Sequence, residues 1–422
     1  MDTASRNKLG VAAAATFAAL LGAYSAFRPV RDALILERNP DSLPVLWLGT
    51  FVVISIVSPV WSALLARRAP RRFVALAFHA FAACAVVFFA LMTAGINLVV
   101  VGHVFYVWSA VFNLFVISIF WSLLADVLDP NTARQLYGPI ASGGTIGAIL
   151  GPALTTLLVD AITPAGVVLM SAVLLELAVI GVIWIRRIAA SLERGAASTT
   201  VADAPMPEGG PFTGIGQVAR SPYLSSIVGY VLCTACAATF MYLAQARIVF
   251  DAHLDLTTRT SYFGRIDTAT QAVAFLLQTL VAATAIRWFG PGLVLAVLPI
   301  AQAVGLSVVA LAPSLTAVAI VQVISKSATH GLTRPARELL YTVVTRDEKY
   351  RAKNAIDTIG YRFGDVAAGW LNTGLKALGA GALAVATFPL VAIWLGLAAA
   401  VGIGFRRRVR EQSAETLVKE QT

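Results

Sequence analysis

Long apolar runs, broken at intervals by charge, proline or glycine, dominate this chain. A membrane-crossing helix needs about 20 apolar residues. Against that length the pattern predicts about twelve crossings. They fall near 9–36, 44–66, 72–94, 97–127, 137–160, 165–187, 221–250, 260–288, 291–312, 314–343, 351–376 and 380–405. Residues 188–220 interrupt the pattern with a small, polar, Pro- and Gly-rich stretch, which reads as a flexible linker. The linker separates a bundle at 1–187 from one at 221–405 and leaves a tail at 406–422.

The two parts echo each other. Gly143, Gly147 and Gly151 on the fifth segment have counterparts in Gly360, Gly364 and Ala368 on the eleventh. Arg134 matches Arg351, and Arg28 and Asp32 match Arg247 and Asp251. The expected fold is therefore an all-α membrane protein of twelve transmembrane helices, in two pseudo-repeats of about six helices each. Repeats related by an axis along the membrane normal are the arrangement of major-facilitator transporters, with the substrate site near the midplane. The Gly143, Gly147, Gly151 stripe removes side chains from one helix face, so a neighbouring backbone can approach closely.

Composition strengthens the membrane reading. Hydrophobic residues make up 58% of the chain and charged residues only 13%, against about 25% charged in soluble proteins. The net charge of +10 gathers in alternate loops: Arg67, Arg68, Arg71 and Arg72; Arg186, Arg187 and Arg194; Arg346, Lys349, Arg351 and Lys353; Arg406, Arg407, Arg408 and Arg410. Loops such as Thr93–Asn97 and Ala161–Ala165 carry almost none. The positive-inside rule then places both termini in the cytoplasm of a bacterial inner membrane, and implies no nucleic-acid partner. The first segment is too long for a cleaved signal peptide and runs into Arg28. Cys84, Cys233 and Cys236 lie in apolar stretches; the C-x-x-C spacing lacks a second pair or a nearby His, so they read as small packing residues. No metal, cofactor or enzymatic constellation is expected, and the chain is expected to be a monomer.

Candidate chemistry lies in polar groups inside the apolar segments, which are functional-site hypotheses by default. Arg28, Arg31 and Asp32 are three and four apart and share one face of the first helix. The seventh segment carries Arg247 and Asp251, the eighth Arg265, Asp267, Gln271 and Gln278. Arg265 and Asp267 are two apart, so each is expected to find its partner on another helix. An Arg31 bridge to Asp267 or Asp365 is one such possibility. The tenth segment carries Lys326, His330, Arg334, Arg337 and Glu338, and the eleventh Asp357, Tyr361, Arg362 and Asp365. Segments three, six, nine and twelve are nearly clean, apart from His79 and Glu176. Segments one, two, four, five, seven, eight, ten and eleven line the cavity of a major-facilitator transporter, and the polar groups fall on them. Asn113, with Tyr106 and Trp108 nearby, is a further cavity candidate, although aromatics there also serve as packing. His79 and His103 read as satisfied packing residues.

Several short motifs resemble the bacterial and plastid ATP/ADP translocase (nucleotide transporter) family. They are the run Arg334 to Tyr341 (RPARELLY), then Asp347 to Asp357 (DEKYRAKNAID), and Phe120-Trp121 followed by Ala133 to Gly138 (ARQLYG). The Arg31-Asp32 pair resembles that family's Lys-Asp pair on the first span. The departures are specific. Asp365 stands where the family has a Lys, Thr132 stands near the place of a family acid, and the basic run Arg67 to Arg72 lacks the facilitator Asp. The resemblance is therefore to a divergent branch.

The resulting expectation is a secondary transporter working by alternating access. Arg28, Arg31, Arg247 and Arg265, with Asn113, Gln271 and Tyr361, would bind an anionic small molecule, because guanidinium forks match phosphate and carboxylate. Nucleotide or organophosphate exchange is the best specific expectation. Asp32, Asp251, Asp267, Lys326, Arg334, Arg337, Glu338, Asp357, Arg362 and Asp365 would couple or gate. The alternatives are a proton-coupled transporter or exporter of another organic solute, with Asp32, Asp267 or Asp365 titrating, and a lipid-handling membrane protein.

Overall fold

The computed structural model describes residues 3–66, 73–193, 220–345, 348, 367–371, 374 and 382–421, and these are entirely helical apart from their connections. The helices are α1 (Thr3–Leu34), α2 (Leu43–Ala66), α3 (Phe73–Thr93), α4 (Leu98–Val127), α5 (Pro130–Glu193), α6 (Pro222–Asp251), α7 (Leu256–Leu276), α8 (Ala283–Leu311), α9 (Leu315–Ala328), α10 (Arg334–Leu340) and α11 (Ala382–Gln421). Among the described residues, eight continuous helical stretches are long and apolar enough to cross a membrane. Large apolar side chains such as Leu157, Leu280, Trp288 and Leu311 lie on the outside, as a lipid-facing surface requires. Arg67–Arg72, most of the 188–220 stretch, and Asp357, Tyr361, Arg362 and Asp365 lie outside the described residues.

Two of the eight stretches are much longer than one crossing, and each is broken in the same way. Thr163 (φ 65°, ψ 164°) breaks α5, and Gly290 (φ 75°, ψ 164°) breaks α8. Both precede a proline, Pro164 and Pro291, whose ring disfavours the helical region for the residue before it. These are the boundaries read from the sequence between segments five and six and between eight and nine. Glycine adopts this backbone freely; for a β-branched threonine it is strained.

Elsewhere small polar residues start the helices. The Asn97 carboxamide accepts from the Val99 and Val100 amides at 3.0 and 3.4 Å. The Ser314 hydroxyl accepts from the Ala317 amide at 3.1 Å. Asp129 and Asp255 cap the helices that follow them, accepting from the Thr132 and Thr258 amides at 3.1 Å each. Hydrogen bonds from those threonines hold both carboxyls below the usual carboxylate range.

The chain divides into two compact units, residues 1–203 with 253–271, and residues 204–252 with 272–422. In the first, α1 packs along α5. A Cβ added at Gly143 or Gly147 would run into the backbone carbonyl of Ala14 or Ala18, and one at Gly151 would lie 2.5 Å from that of Gly22. The stripe is thus a backbone-to-backbone contact extending over two turns. Beside it, Phe17 stacks on Phe120 at 4.7 Å with 1° between the planes. Phe27, Phe88, Phe105 and Phe112 surround Trp108 at 5.3–5.5 Å, so Trp108 is a packing residue. His103 Nδ1 hydrogen-bonds the Val99 carbonyl, and His79 Nδ1 meets Glu176 at 2.9 Å, so the two polar residues of the third and sixth segments partner each other.

The second unit is organised around Trp394, fully buried against Tyr230 at 5.7 Å. Tyr230 donates to the Leu295 carbonyl at 2.8 Å and Tyr223 to that of Leu340 at 2.9 Å. Two π-helical turns, Leu277–Ala282 and Thr329–Thr333, pack against each other in this unit. They cross at Gly331, where an added Cβ would stand 2.7 Å from Leu277 and 2.8 Å from the Ala274 carbonyl. The expectation that the ninth segment carries no polar group of note needs correcting. Gln302 on α8 is buried and accepts from Ser325 at 3.1 Å, beside a buried Gln322–Gln245 hydrogen bond of 2.7 Å. A single glutamine barely perturbs an apolar run, which is why the pattern conceals it.

The glycine contact makes a direct prediction. Gly147→Ala should destabilise the protein by about 1–3 kcal/mol, the usual cost of overpacking, and Gly147→Leu by more. The check is thermal unfolding of purified protein in detergent; an unchanged melting temperature for Gly147→Leu would show that the contact is incidental.

Candidate functional site

The site is built on the C-terminal turns of α1 and on α7, within the first unit. Arg28 donates through Nε to Asp267 at 2.7 Å; the carboxylate is 4% exposed and the guanidinium 22%. Arg31 turns the other way. Its Nε and NH2 both donate to one oxygen of Asp32, at 2.8 and 2.6 Å. Its guanidinium also lies over the Tyr106 ring, 5.1 Å from the centroid, and the Trp47 indole donates to the Tyr106 hydroxyl at 2.9 Å. Of the two acids expected as alternative partners for Arg31, Asp267 is taken by another arginine, and Asp365 lies outside the described residues. Arg28, one turn earlier on the same face, makes the bond to Asp267, while Arg31 is occupied by its neighbour Asp32.

A third pair lies beyond the candidates drawn from the sequence. Buried Arg259, in the first turn of α7, donates to Glu37 and to the Ala33 carbonyl at 3.0 Å each, and to the Leu254 carbonyl at 2.8 Å. The Ala33 carbonyl belongs to the last turn of α1, where the helix has run out of its own donors. The only sequence signal is that α1 ends without a glycine cap, so its orphan carbonyls need a donor from elsewhere.

The remaining candidates divide clearly. Arg247 pairs with Asp251 at 2.9 Å, both half exposed, in the last turn of α6; such a pair contributes little in water. Arg265 is exposed and makes no ion pair or hydrogen bond among the described residues. Asn113 and Gln271 are half-buried and likewise make no hydrogen bond among the described residues. Of the four arginines expected to bind an anion, three face a carboxylate, and Arg265 meets none among the described residues. Around the π-turn at Thr329–Thr333, Lys326 is half-buried, Arg337 is buried, and Arg334 and Glu338 are exposed. Asp357, Tyr361, Arg362 and Asp365 lie outside the described residues. Among those described, no cluster of His, Cys, Asp and Glu could hold a metal.

Apolar helices on the outside and charged pairs within make this a multi-pass membrane protein, and its likeness to solved structures gives it the major-facilitator transporter fold. Across 97% of the chain it superposes on a bacterial homologue of the human lysosomal transporter Spinster (TM-score 0.55, 14% identity, 98% of that chain), on the nucleoside transporter NupG (0.61, 11%, 99%) and, with a TM-score of 0.59 at 12% identity over 99% of that chain, on a bacterial homologue of the iron transporter ferroportin. The sequence resemblance to ATP/ADP translocases extends beyond short motifs. Residues 271–405 match the family model described as TLC ATP/ADP transporter. Over 338 residues the chain is 25% identical to ADP,ATP carrier protein 1 of Chlamydia trachomatis serovar D, a match taking in 69% of this chain and 63% of the carrier. The relatives are transporters.

The Arg28–Asp267 pair carries its own test. Removing one partner of a buried pair leaves the other charge desolvated, at a cost of about 3–5 kcal/mol. Arg28→Ala should therefore lower the melting temperature sharply, and Asp267→Asn added to it should recover most of the loss. A double variant no more stable than Arg28→Ala would rule out the pairing.

Proposed function

We propose that this protein is a secondary transporter of an anionic small molecule, working by alternating access, with a nucleotide or organophosphate as the exchanged substrate. The observation that carries the reading is the excess positive charge of Arg265 near a compensated cluster, with Asn113 and Gln271 holding donors and acceptors that no protein group takes up among the described residues. Arg265 would supply the fork for a phosphate, and Asn113 and Gln271 the hydrogen bonds that orient the rest of the ligand. The likeness to a family named for ATP and ADP supports a nucleotide. The acid at Asp365, where the family has a lysine, sets this branch apart and argues for an altered substrate.

In this proposal residues 1–187 and 221–405 form two bundles joined by a cytoplasmic linker, in a bacterial inner membrane, with the termini inside and the chain acting as a monomer. The seventh and eighth crossings then belong to the second bundle. Arg28–Asp267 and Arg259–Glu37 would act as a clasp on the periplasmic side, made and broken in each cycle. Asp32 would hold Arg31 in place between turnovers. Lys326, Arg334, Arg337 and Glu338, with Asp357 and Arg362, would form the opposing cytoplasmic gate.

The test is counterflow in proteoliposomes loaded with ADP, ATP, inorganic phosphate or a sugar phosphate. A charge-assisted contact contributes about 1.5–3 kcal/mol, roughly ten- to a hundredfold in affinity. Arg265→Ala should raise the half-saturating concentration by that factor without loss of stability, and Arg265→Lys should recover part of it. Wild-type kinetics in a well-folded Arg265→Ala protein would remove the anion site from this position.

A further inference from the structure

We propose that the second unit carries a binding site for an aminophospholipid at the end of its last crossing. A cavity of about 890 Å³ opens there, lined by Tyr223, Glu348, Ile403, Arg407, Arg408 and Glu411 among others. It lies where the apolar stretch of α11 gives way to the run Arg406–Arg408, the level at which a lipid headgroup meets water.

The charges in this cavity are sorted in an unusual way. Arg407 and Glu411 pair with each other at 2.8 Å, one helical turn apart, and so cancel. Arg408 and Glu348 are each left without an opposite charge among the described residues. Arg408 is nevertheless held in place: its guanidinium lies 4.8 Å from the centroid of the Tyr223 ring, and that ring is locked by its hydrogen bond to Leu340. Gly404 leaves the room for the ring, since an added Cβ would stand 2.7 Å from it. Glu348 is held just as firmly. One of its oxygens accepts from both the amide and the hydroxyl of Thr345 at 3.1 Å, and its own amide donates back to that hydroxyl at 3.3 Å. This is a reciprocal capping box, and among the described residues no group takes up the second carboxylate oxygen.

One positive and one negative group, both preorganised and neither with a counter-charge among the described residues, fit a zwitterion better than a simple anion. Arg408 matches a phosphodiester. Glu348 matches a primary ammonium, which can donate hydrogen bonds as well as carry charge. The apolar side of the cavity, at Val343, Val344, Ala400 and Ile403, runs along the membrane-facing helix and offers a path for an acyl chain. The three features together describe a phosphoethanolamine headgroup with its lipid tail. A soluble headgroup would use the two charges and ignore the apolar wall.

The test is native mass spectrometry of the full-length protein in a non-ionic detergent. It is titrated with phosphatidylethanolamine, with its N-trimethylated analogue phosphatidylcholine, with phosphatidylglycerol, and with acyl-free glycerophosphoethanolamine. Phosphatidylethanolamine should bind at one copy per chain, about tenfold more tightly than the other three, as expected for one charge-assisted contact or one apolar tail lost. Arg408→Gln should weaken binding about tenfold. Glu348→Gln, which preserves the capping box, should abolish the preference over phosphatidylcholine while leaving the melting temperature unchanged. Equal binding of phosphatidylglycerol would overturn the proposal in favour of a plain anion site. Equal binding of the acyl-free headgroup would overturn it in favour of a soluble ligand. An unchanged preference in Glu348→Gln would remove the ammonium contact on which it rests.

Discussion

A carboxylate 4% exposed inside a membrane protein must have a cation within hydrogen-bond reach, and Asp267 has Arg28 at 2.7 Å. Much of the site's arrangement follows from that requirement. Taking both charges out of water is costly, and the attraction compensates only when the geometry is close. The pair therefore sets the position of α7 against the end of α1 and leaves Arg31 to its neighbour Asp32. Arg259 reinforces the same contact by donating to Glu37 and to an exhausted turn of α1. Arg265, on a different face of α7 from Asp267, remains outside this exchange. The paired charges hold the helices in place, and Arg265 has no counter-charge among the described residues.

Close backbone contact gives the pair its rigid setting. The Gly143, Gly147, Gly151 stripe presses α5 onto the carbonyls of α1. The aromatic cluster around Trp108 and Phe27 fills the other side of that helix. An α1 held on two sides presents Arg28, Arg31 and Asp32 in one register only. The second unit uses a different device, two π-turns that cross at Gly331. Each π-turn shifts the residues beyond it around the helix axis, and so resets which side chains of α8 and α10 turn inward.

Some of this architecture is legible in the amino-acid pattern alone. The helix breaks at Thr163 and Gly290 fall where Thr-Pro and Gly-Pro interrupt apolar runs, and local sterics locate them. The glycine stripe announces a close contact, and the charges on the first and eighth segments stand out against their apolar surroundings. Partnership is what a linear pattern does not carry. Arg28 and Arg31 are near-equivalent on one helix face, and only the packing register of α7 decides which of them meets Asp267. The π-turns are invisible because the apolar pattern continues through them. Gln302 escapes notice because one amide changes an apolar average very little. Arg259 lies just outside its predicted span, and its role depends on the end of a helix distant in sequence.

The central claim is that the Arg28–Asp267 bond holds α7 to the end of α1 as a releasable clasp. Spin labels at exposed Arg38 and His253, both within the first unit, would report that distance by electron–electron double resonance in proteoliposomes. The account predicts one short distance for the wild-type protein, and a second, longer population when Asp267→Asn breaks the bond or when ADP or ATP is added. A single unchanged distance in all three conditions would contradict it.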